Sequence, residues 1–185
     1  MGRIEVPSRR STIHDSPSGL EIVIPARRNF FTIAFIGFWL IGWACGEVFA
    51  IRQLFVVGKS PDFPGLFLLA WLGGWTVGGG FAIYAWLWTV VGKERIILRP
   101  GTLATKREVL GFGRSREYDL SHVSNVRISQ QSHNPFDFGS GMRSLGIGGG
   151  MIAFDYGAKT FRFGASIDEV EAEDIVEELK KRHTF

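Results

Sequence analysis

The residues that could carry catalysis or bind a metal ion are scattered along this chain. The histidines do not pair with acidic residues at metal-ligand spacing; they are His14, His122, His133 and His183. Ser121 and His122 are neighbours, but the sequence indicates no third group to orient them as a nucleophile and its base. Cys45 is the single cysteine, which excludes an intramolecular disulfide and a metal site built from cysteines. We therefore expect neither an enzyme nor a cofactor or metal site.

A glycine-rich segment, 139–150, has the composition of a loop that could bind phosphate. It lacks the Gly-Lys-Ser/Thr end of a phosphate-binding loop, and it leads into a predicted strand where a nucleotide fingerprint needs the start of a helix. We interpret it as part of an exposed loop. Phe136, Phe138 and Arg143 in this loop are candidates for contact with a protein partner or a membrane surface.

Basic residues are concentrated in one part of the chain. Segment 93–127 holds eight basic residues against four acids, whereas 128–185 holds six against nine. Four cations lie near a predicted turn at 111–113: Lys106, Arg107, Arg114 and Arg116. They could attract anionic lipid headgroups, at about 1 kcal/mol per well-placed cation, or they could form cross-strand pairs with acids such as Glu108 and Glu117. The net charge of the whole chain is only +3, so we expect no nucleic-acid partner.

Two long apolar segments must position these residues relative to a membrane. The stretch 63–92 contains no Asp, Glu, Lys or Arg. About twenty apolar residues cross a bilayer as a helix, at ~1.5 Å per residue. We therefore predict a two-helix transmembrane hairpin over 29–92, with helices at about 29–51 and 64–91 and a short turn outside the membrane between them.

Glu47 is the one acid inside the first predicted span. Because it lies five residues before Arg52, it could be hydrated at the membrane interface. It could also make a packing or partner contact, or belong to a proton or ion relay.

Both predicted helices contain glycines at four-residue spacing, which lets helix backbones approach closely. The pairs are Gly42 with Gly46 and Gly74 with Gly78. Such a contact could join the two helices of one hairpin, or it could form a seam with a second copy or another protein.

The remaining segments predict one small sheet domain. We expect a flexible N-terminal tail over 1–19, a strand over 20–28 that joins the C-terminal sheet, and a run of strands from 93 onward. A capping box with Ser166 as the N-cap and Glu169 three residues later predicts the start of a C-terminal amphipathic helix.

The hairpin at 152–164, followed by the acidic start of a helix at 168–172, resembles the end of bacterial pleckstrin-homology-like (PH-like) domains attached to a transmembrane helix hairpin. The resemblance implies an α+β PH-like domain over 93–185, in which a bent antiparallel sheet is capped by a C-terminal helix. The resemblance bears on fold more than on function. Our leading hypothesis is a non-enzymatic adaptor or scaffold at the cytoplasmic membrane face that binds a protein partner, or its own second copy, and anionic lipid. The alternative is an accessory subunit of a membrane transporter or assembly complex that acts through its helices.

The distribution of basic residues predicts the orientation of the hairpin. Basic residues precede the first helix and follow the second, while the connection carries only Arg52 and Lys59. The positive-inside tendency therefore predicts an integral protein of the inner (plasma) membrane with both termini in the cytoplasm.

Overall fold

The computed structural model describes residues 10–17, 19–57, 63–129 and 149–185. They form two compact units. The sheet unit comprises the chain up to Arg27 and the chain from Val91 onward, and the helix unit comprises Arg28–Val90. The elements in chain order are β1 (Thr12–Ser16), β2 (Gly19–Pro25), α1 (Phe30–Val57), α2 (Phe63–Val91), β3 (Lys93–Arg99), β4 (Thr102–Val109), β5 (Phe112–Asp119), β6 (Val123–Ile128), β7 (Ile152–Tyr156), β8 (Lys159–Phe163) and α3 (Glu169–Arg182).

The sheet unit contains two antiparallel sheets and a C-terminal helix. Strands β1 to β5 form one sheet in sequence order, and β6 to β8 form the other. Alternation in β2 places Leu20, Ile22 and Ile24 on the buried face, as expected for strands with one face toward a core. Helix α3 packs on β6 and buries Ile175 and Leu179 in the same core. The antiparallel sheet and the C-terminal helix that the sequence predicts are thus confirmed.

The N-terminal segment contains a strand where the sequence predicts a flexible tail over 1–19. Strand β1 pairs with β2, and both Asp15 carboxylate oxygens accept hydrogen bonds from Arg182 at the end of α3, at 2.9 and 2.7 Å. The Arg182 hydrogen bonds lower the pKa of Asp15. The backbone N–H groups of Arg10 and Ser11 donate to the Glu171 carboxylate. These contacts come from residues more than 150 positions away, so no local pattern predicts them.

Helix α3 begins two residues later than the predicted capping box implies. Asp168, rather than Ser166, is the N-cap, and its carboxylate accepts a hydrogen bond from the backbone N–H of Glu171 at 2.9 Å. Glu171, the acid at the third helical position, binds the N-terminal segment instead of closing the box. Both candidate caps have side chains that suit the position, and tertiary contacts decide between them.

The helix unit consists of two helices that are long and apolar enough to span a membrane. Helix α1 continues to Val57, six residues past the predicted end near 51, so Arg52 lies inside the helix. Among the described residues of this unit, twenty large hydrophobic side chains are exposed, for example those of Phe30, Phe38 and Val77.

Candidate functional site

The two helices are connected to one end of the five-stranded sheet. The β2–β3 ladder pairs Pro25 with Lys93, and the N–H of Ala26 then donates to the carbonyl of Gly92 at 2.9 Å. The chain therefore leaves the sheet toward α1 and returns from α2 at adjacent backbone positions. We call this end of the strands, where β2 ends and β3 begins, the helix end of the sheet.

The turn between β4 and β5 lies at the same helix end. Lys93 is paired with Glu108, and Val109 is paired with Phe112 across the turn. At ~3.3 Å per residue along a strand, the turn extends roughly 7 Å beyond the level of Lys93. Strand β4, which leads into this turn, is two strands away from β2, and neighbouring strands are ~4.8 Å apart.

This turn carries exposed apolar side chains. Leu110 is 64% exposed and Phe112 is 84% exposed. Within the described residues, the only other large hydrophobic side chain exposed outside the two helices is Val170. We call Leu110–Phe112 the apolar tip. A turn between strands is normally polar, so an exposed leucine and phenylalanine here indicate a surface that meets something apolar.

The backbone of the apolar tip is strained. Leu110 and Gly111 both have positive φ, at 53° and 86°, as a two-residue type I′ turn requires. Asparagine followed by glycine suits this conformation, whereas a leucine with positive φ is an outlier for a bulky side chain. The chain therefore retains an apolar side chain at a position where a polar one is conformationally easier. The turn lies at Leu110 and Gly111, one residue earlier than the predicted turn at 111–113. The prediction of a lipid-binding site from the cations alone therefore missed Leu110.

The four predicted lipid-binding cations do not form one cluster. Arg107 is the cross-strand partner of Arg114, and Thr105 is the partner of Arg116, so these three arginines share one face of the sheet. Lys106 lies between Thr105 and Arg107 on β4, so its side chain points to the other face of the sheet. Its ammonium group is 2.9 Å from the Glu108 carboxylate there. The prediction of a single four-cation tip is wrong because adjacent residues on a strand point to opposite faces.

Lys106 belongs to an ion cluster around the buried carboxylate of Glu108. The side chain of Glu108 is only 3% exposed and contacts Lys93 at 3.1 Å and Arg95 at 2.7 Å as well as Lys106. Burial raises the pKa of Glu108, but hydrogen bonds from Lys106, Lys93 and Arg95 outweigh it and lower the pKa to about 2. Two of the cations nearest the helix end, Lys93 and Lys106, are thus engaged in a structural role.

The three arginines of the other face line a cleft between the two sheets. The cleft has a volume of about 500 Å³, and Tyr118, Phe154 and Phe161 contribute to its lining. Arg107 contacts the buried carboxylate of Glu94 at 3.3 Å, and Glu94 also accepts a hydrogen bond from the N–H of Gly164 at 2.9 Å. No local sequence pattern connects Glu94 with these arginines, because Glu94 lies on β3 and meets Arg107 only through the register of β3 with β4.

Ser121 and His122 have a third partner, but the arrangement is structural. Asp119 accepts hydrogen bonds from the N–H and the hydroxyl of Ser121 at 2.9 and 2.7 Å and caps a 3-10 turn. His122 Nδ1 lies 2.9 Å from the same hydroxyl. The carboxylate therefore binds the serine rather than the histidine, which is not the order of a catalytic triad. The described residues contain no group of three or more His, Cys, Asp or Glu that could hold a metal ion.

Glu47 forms a contact between the two helices. Its carboxylate accepts a hydrogen bond from the hydroxyl of Thr76, and the oxygen of that hydroxyl also lies 2.8 Å from the carbonyl oxygen of Leu72. Because α1 continues to Val57, Glu47 lies ten residues, or ~15 Å, from the helix end. Of the three explanations for Glu47, the structure favours the packing contact.

None of the four glycines predicted to pack the helices lies at a close approach between them. A Cβ atom added at any of them meets nothing within 4 Å; they are Gly42, Gly46, Gly74 and Gly78. A Cβ on Gly79 would instead lie 2.0 Å from the Trp43 ring, and one on Gly37 would lie 3.2 Å from Trp86. Of the two explanations for these spacings, the structure does not support close packing of α1 on α2 at these glycines, because Trp43 packs on Gly79 and Trp86 on Gly37 instead. The other explanation, a seam with a second copy or another protein, stays a prediction.

The predicted partner-loop residues Phe136, Phe138 and Arg143 lie outside the described residues, as does His133. Gly149, where the description resumes, has its carbonyl 3.3 Å from a guanidinium nitrogen of Arg107. Comparison of the chain with protein-family models, with curated proteins and with solved structures gave no match.

Proposed function

We propose that this chain is a non-enzymatic integral membrane protein whose helix hairpin holds a PH-like domain against the cytoplasmic face of the inner membrane, as an adaptor for a protein partner. In this proposal the domain contacts anionic lipid through the apolar tip. The observation that carries it is the position of Leu110 and Phe112 at the helix end of the sheet.

Covalent connection supports the contact of the tip with lipid. If α1 and α2 cross the bilayer, Ala26 and Gly92 lie where the chain emerges from it. The tip extends roughly 7 Å past the level of Lys93, in the direction from which the chain arrives. A leucine and a phenylalanine each contribute about 1.5–3 kcal/mol when fully buried. Even partial burial is favourable, because the anchor keeps the tip at high effective concentration next to the membrane.

The order of elements supports the PH-like assignment. An antiparallel sheet of consecutive strands is followed by a second small sheet and one C-terminal helix that packs on the shared core. The helix hairpin is inserted between β2 and β3, so that the domain comprises residues on both sides of the hairpin rather than 93–185 alone.

Site-specific fluorescence in reconstituted membranes tests the contact with lipid. A cysteine that replaces Phe112 in a Cys45→Ser background carries an environment-sensitive dye, and the full chain is placed in nanodiscs with anionic lipid. We expect blue-shifted emission and quenching by spin-labelled lipid. The matched control is a cysteine at Ala158, an exposed position in the β7–β8 turn, which should show neither effect.

Leu110→Asn tests the apolar contribution without removing the turn, because asparagine suits the positive φ at this position. The variant should keep the fold and weaken quenching at the Phe112 label. Equal quenching at positions 112 and 158, or a water-like spectrum at both, would refute the proposed contact.

A second candidate function is that of an accessory subunit in a membrane transporter or assembly complex. The observation that favours it is the open small-residue surface of the helix unit, where Gly74 and Gly78 line a groove of about 470 Å³ together with Trp39 and Trp71. Affinity purification in mild detergent distinguishes the adaptor from the accessory subunit. Partners retained by a Gly74→Leu variant but lost from variants of the sheet unit support the adaptor, and the reverse pattern supports the subunit.

A further inference from the structure

The cleft between the two sheets has an unusual concentration of positive charge. It is lined by Glu94, Thr105, Arg107, Arg114, Arg116, Tyr118, Gly149, Phe154, Thr160, Phe161 and Arg162. Three arginines on the cleft face of β4 and β5, Arg107, Arg114 and Arg116, thus stand against one glutamate. Its volume of about 500 Å³ lies within the range of small-ligand sites.

The register brings the guanidinium groups of two strands together. Arg107 and Arg114 are directly opposite, and Arg116 follows Arg114 by two residues on the same face. Opposite Cβ atoms in an antiparallel pair are about 4.5–5.5 Å apart, and like charges in such positions destabilise the sheet. An anion between these side chains would convert that repulsion into attraction.

The carboxylate of Glu94, the acid that lines the cleft, already has partners within the sheet unit. Glu94 is 5% exposed, contacts Arg107 and accepts the N–H of Gly164. Within the part of the chain that the structure describes, the guanidinium groups of Arg114 and Arg116 form no ion pair or hydrogen bond. The cleft therefore has an excess of positive charge in the absence of a ligand.

The aromatic lining strengthens the attraction of these cations for an anion. The Tyr118 ring lies 5.0 Å from Phe154 and 4.9 Å from Phe161, and Phe154 is buried. A charge beside such an apolar wall is screened less than one surrounded by water. The three cations on the cleft face are all arginines, whose planar fork of donors matches the oxygens of a phosphate group better than an ammonium group does.

We propose that this cleft binds a phosphate monoester, with the dianionic phosphate held by Arg107, Arg114 and Arg116. The phosphate can belong to a free phosphorylated metabolite or to the headgroup of a lipid such as phosphatidic acid, because Arg107 and Arg114 lie within four residues of the apolar tip. The inference does not depend on insertion of the tip, since a soluble ligand needs no membrane contact.

The binding experiment uses the full chain in nanodiscs of phosphatidylcholine at low salt. Glycerol 3-phosphate is the soluble probe, and nanodiscs that contain phosphatidic acid provide the lipid arm. Nuclear magnetic resonance of the arginine side-chain N–H groups reports occupancy. We expect saturable shifts at Arg114 and Arg116 with at least one probe, weakening as salt rises. Shifts with glycerol 3-phosphate indicate a soluble ligand, and shifts only with phosphatidic acid indicate a headgroup.

The variant Arg114→Gln/Arg116→Gln should lower the affinity at least tenfold. Both residues are exposed, so the substitutions should leave the fold intact, which amide hydrogen exchange of the β4 and β7 peptides verifies. The matched control is Arg99→Gln, an exposed arginine at the opposite end of β3. Arg114→Lys/Arg116→Lys keeps the charge but loses the planar fork, and we expect an intermediate affinity.

Three results would overturn the proposal. They are the absence of saturable shifts with both probes, an equal loss of affinity in the Arg99→Gln control, and unchanged affinity in the folded double glutamine variant. A failure of the tip contact gives a different pattern, in which the Phe112 label stays water-exposed while the arginine shifts remain.

Discussion

At the scale of single residues, strand parity determines what each cation can do. Lys106 and Arg107 are adjacent in sequence, yet one binds Glu108 on the outer face and the other faces the cleft. Parity could be inferred from the sequence once the strand was predicted. The same-strand pair of Lys106 with Glu108 could also be inferred in this way. The partner of Arg107 could not, because Glu94 lies on another strand and the N–H of Gly164 reaches Glu94 only in the folded sheet unit.

Glu108→Gln should destabilise the sheet unit at neutral pH. The folded-state pKa of Glu108 is lowered from 4.5 to about 2, so the stabilisation is fully present above about pH 4.5 and is lost as the pH falls toward 2. A shift of this size corresponds to up to about 3 kcal/mol. We expect the variant to lose part of the hydrogen-exchange protection of β3 and β4 at pH 7, measured on the full chain in detergent, and the difference from the parent chain to shrink at pH 3.

The control for this substitution is Glu117→Gln. Glu117 is exposed on the neighbouring strand β5, pairs with Ala104, and lies on the same face as Glu108. It should change the protection by no more than a few tenths of a kcal/mol, as exposed charges do. A difference between Glu108→Gln and the parent chain that stays constant from pH 7 to pH 3 would contradict the role assigned to the ion cluster.

At the scale of elements, the sequence predicts which segments form helices and strands better than it predicts how they contact one another. The four-residue glycine spacings in α1 and α2 indicate small surfaces. The contact itself is built by Trp43 against Gly79 and by Trp86, whose indole N–H donates to the carbonyl of Ile33 at 2.9 Å. Glycines at four-residue spacing mark a helix surface that another helix can approach closely. The rotation of each helix about its own axis decides whether that surface faces the neighbouring helix.

Gly79→Leu should disrupt the helix hairpin, whereas Gly74→Leu should leave it intact. A Cβ at position 79 would overlap the Trp43 ring, while position 74 is open within 4 Å. Overpacking of this kind typically costs about 1–3 kcal/mol. Tryptophan fluorescence during thermal unfolding in detergent reports on this unit, since all six tryptophans lie in its helices. Equal melting of the two variants would contradict the helix contact, and a changed oligomer size for Gly74→Leu alone would indicate a seam with another chain.

At the scale of the whole molecule, the sheet unit is assembled from residues on both sides of the helix hairpin. Hydropathy alone predicts the two helices, and alternation predicts β2 and its place in the C-terminal sheet. Strand β1 was missed because it is a short edge strand with mostly exposed side chains. Its position depends on Arg182 and Glu171 at the far end of the chain.

Replacing residues 27–91 by Asn-Gly should produce a soluble, folded domain. Ala26 and Gly92 are already a hydrogen-bonded pair, so a two-residue type I′ turn can close the β2–β3 hairpin. The fragment 93–185 should not fold, because it lacks β2, whose Leu20, Ile22 and Ile24 are at most 1% exposed. Circular dichroism and the dispersion of amide resonances distinguish the two. A folded 93–185 fragment would show that β1 and β2 are dispensable.

The same sheet restricts the topology of the chain in the membrane. Because β2 and β3 are hydrogen-bonded neighbours, the segments before α1 and after α2 must lie on the same side of any bilayer that the helices cross. Basic residues at both flanks favour the cytoplasmic side. In a Cys45→Ser background, a cysteine at Ser60 should react with an impermeant maleimide in intact cells, whereas cysteines at Thr12 and Ser115 should react only after permeabilisation. Labelling of Thr12 and Ser115 without Ser60 would reverse the orientation but keep the sheet. Different labelling of Thr12 and Ser115 would contradict the pairing itself, because strands of one sheet cannot lie on opposite sides of a membrane.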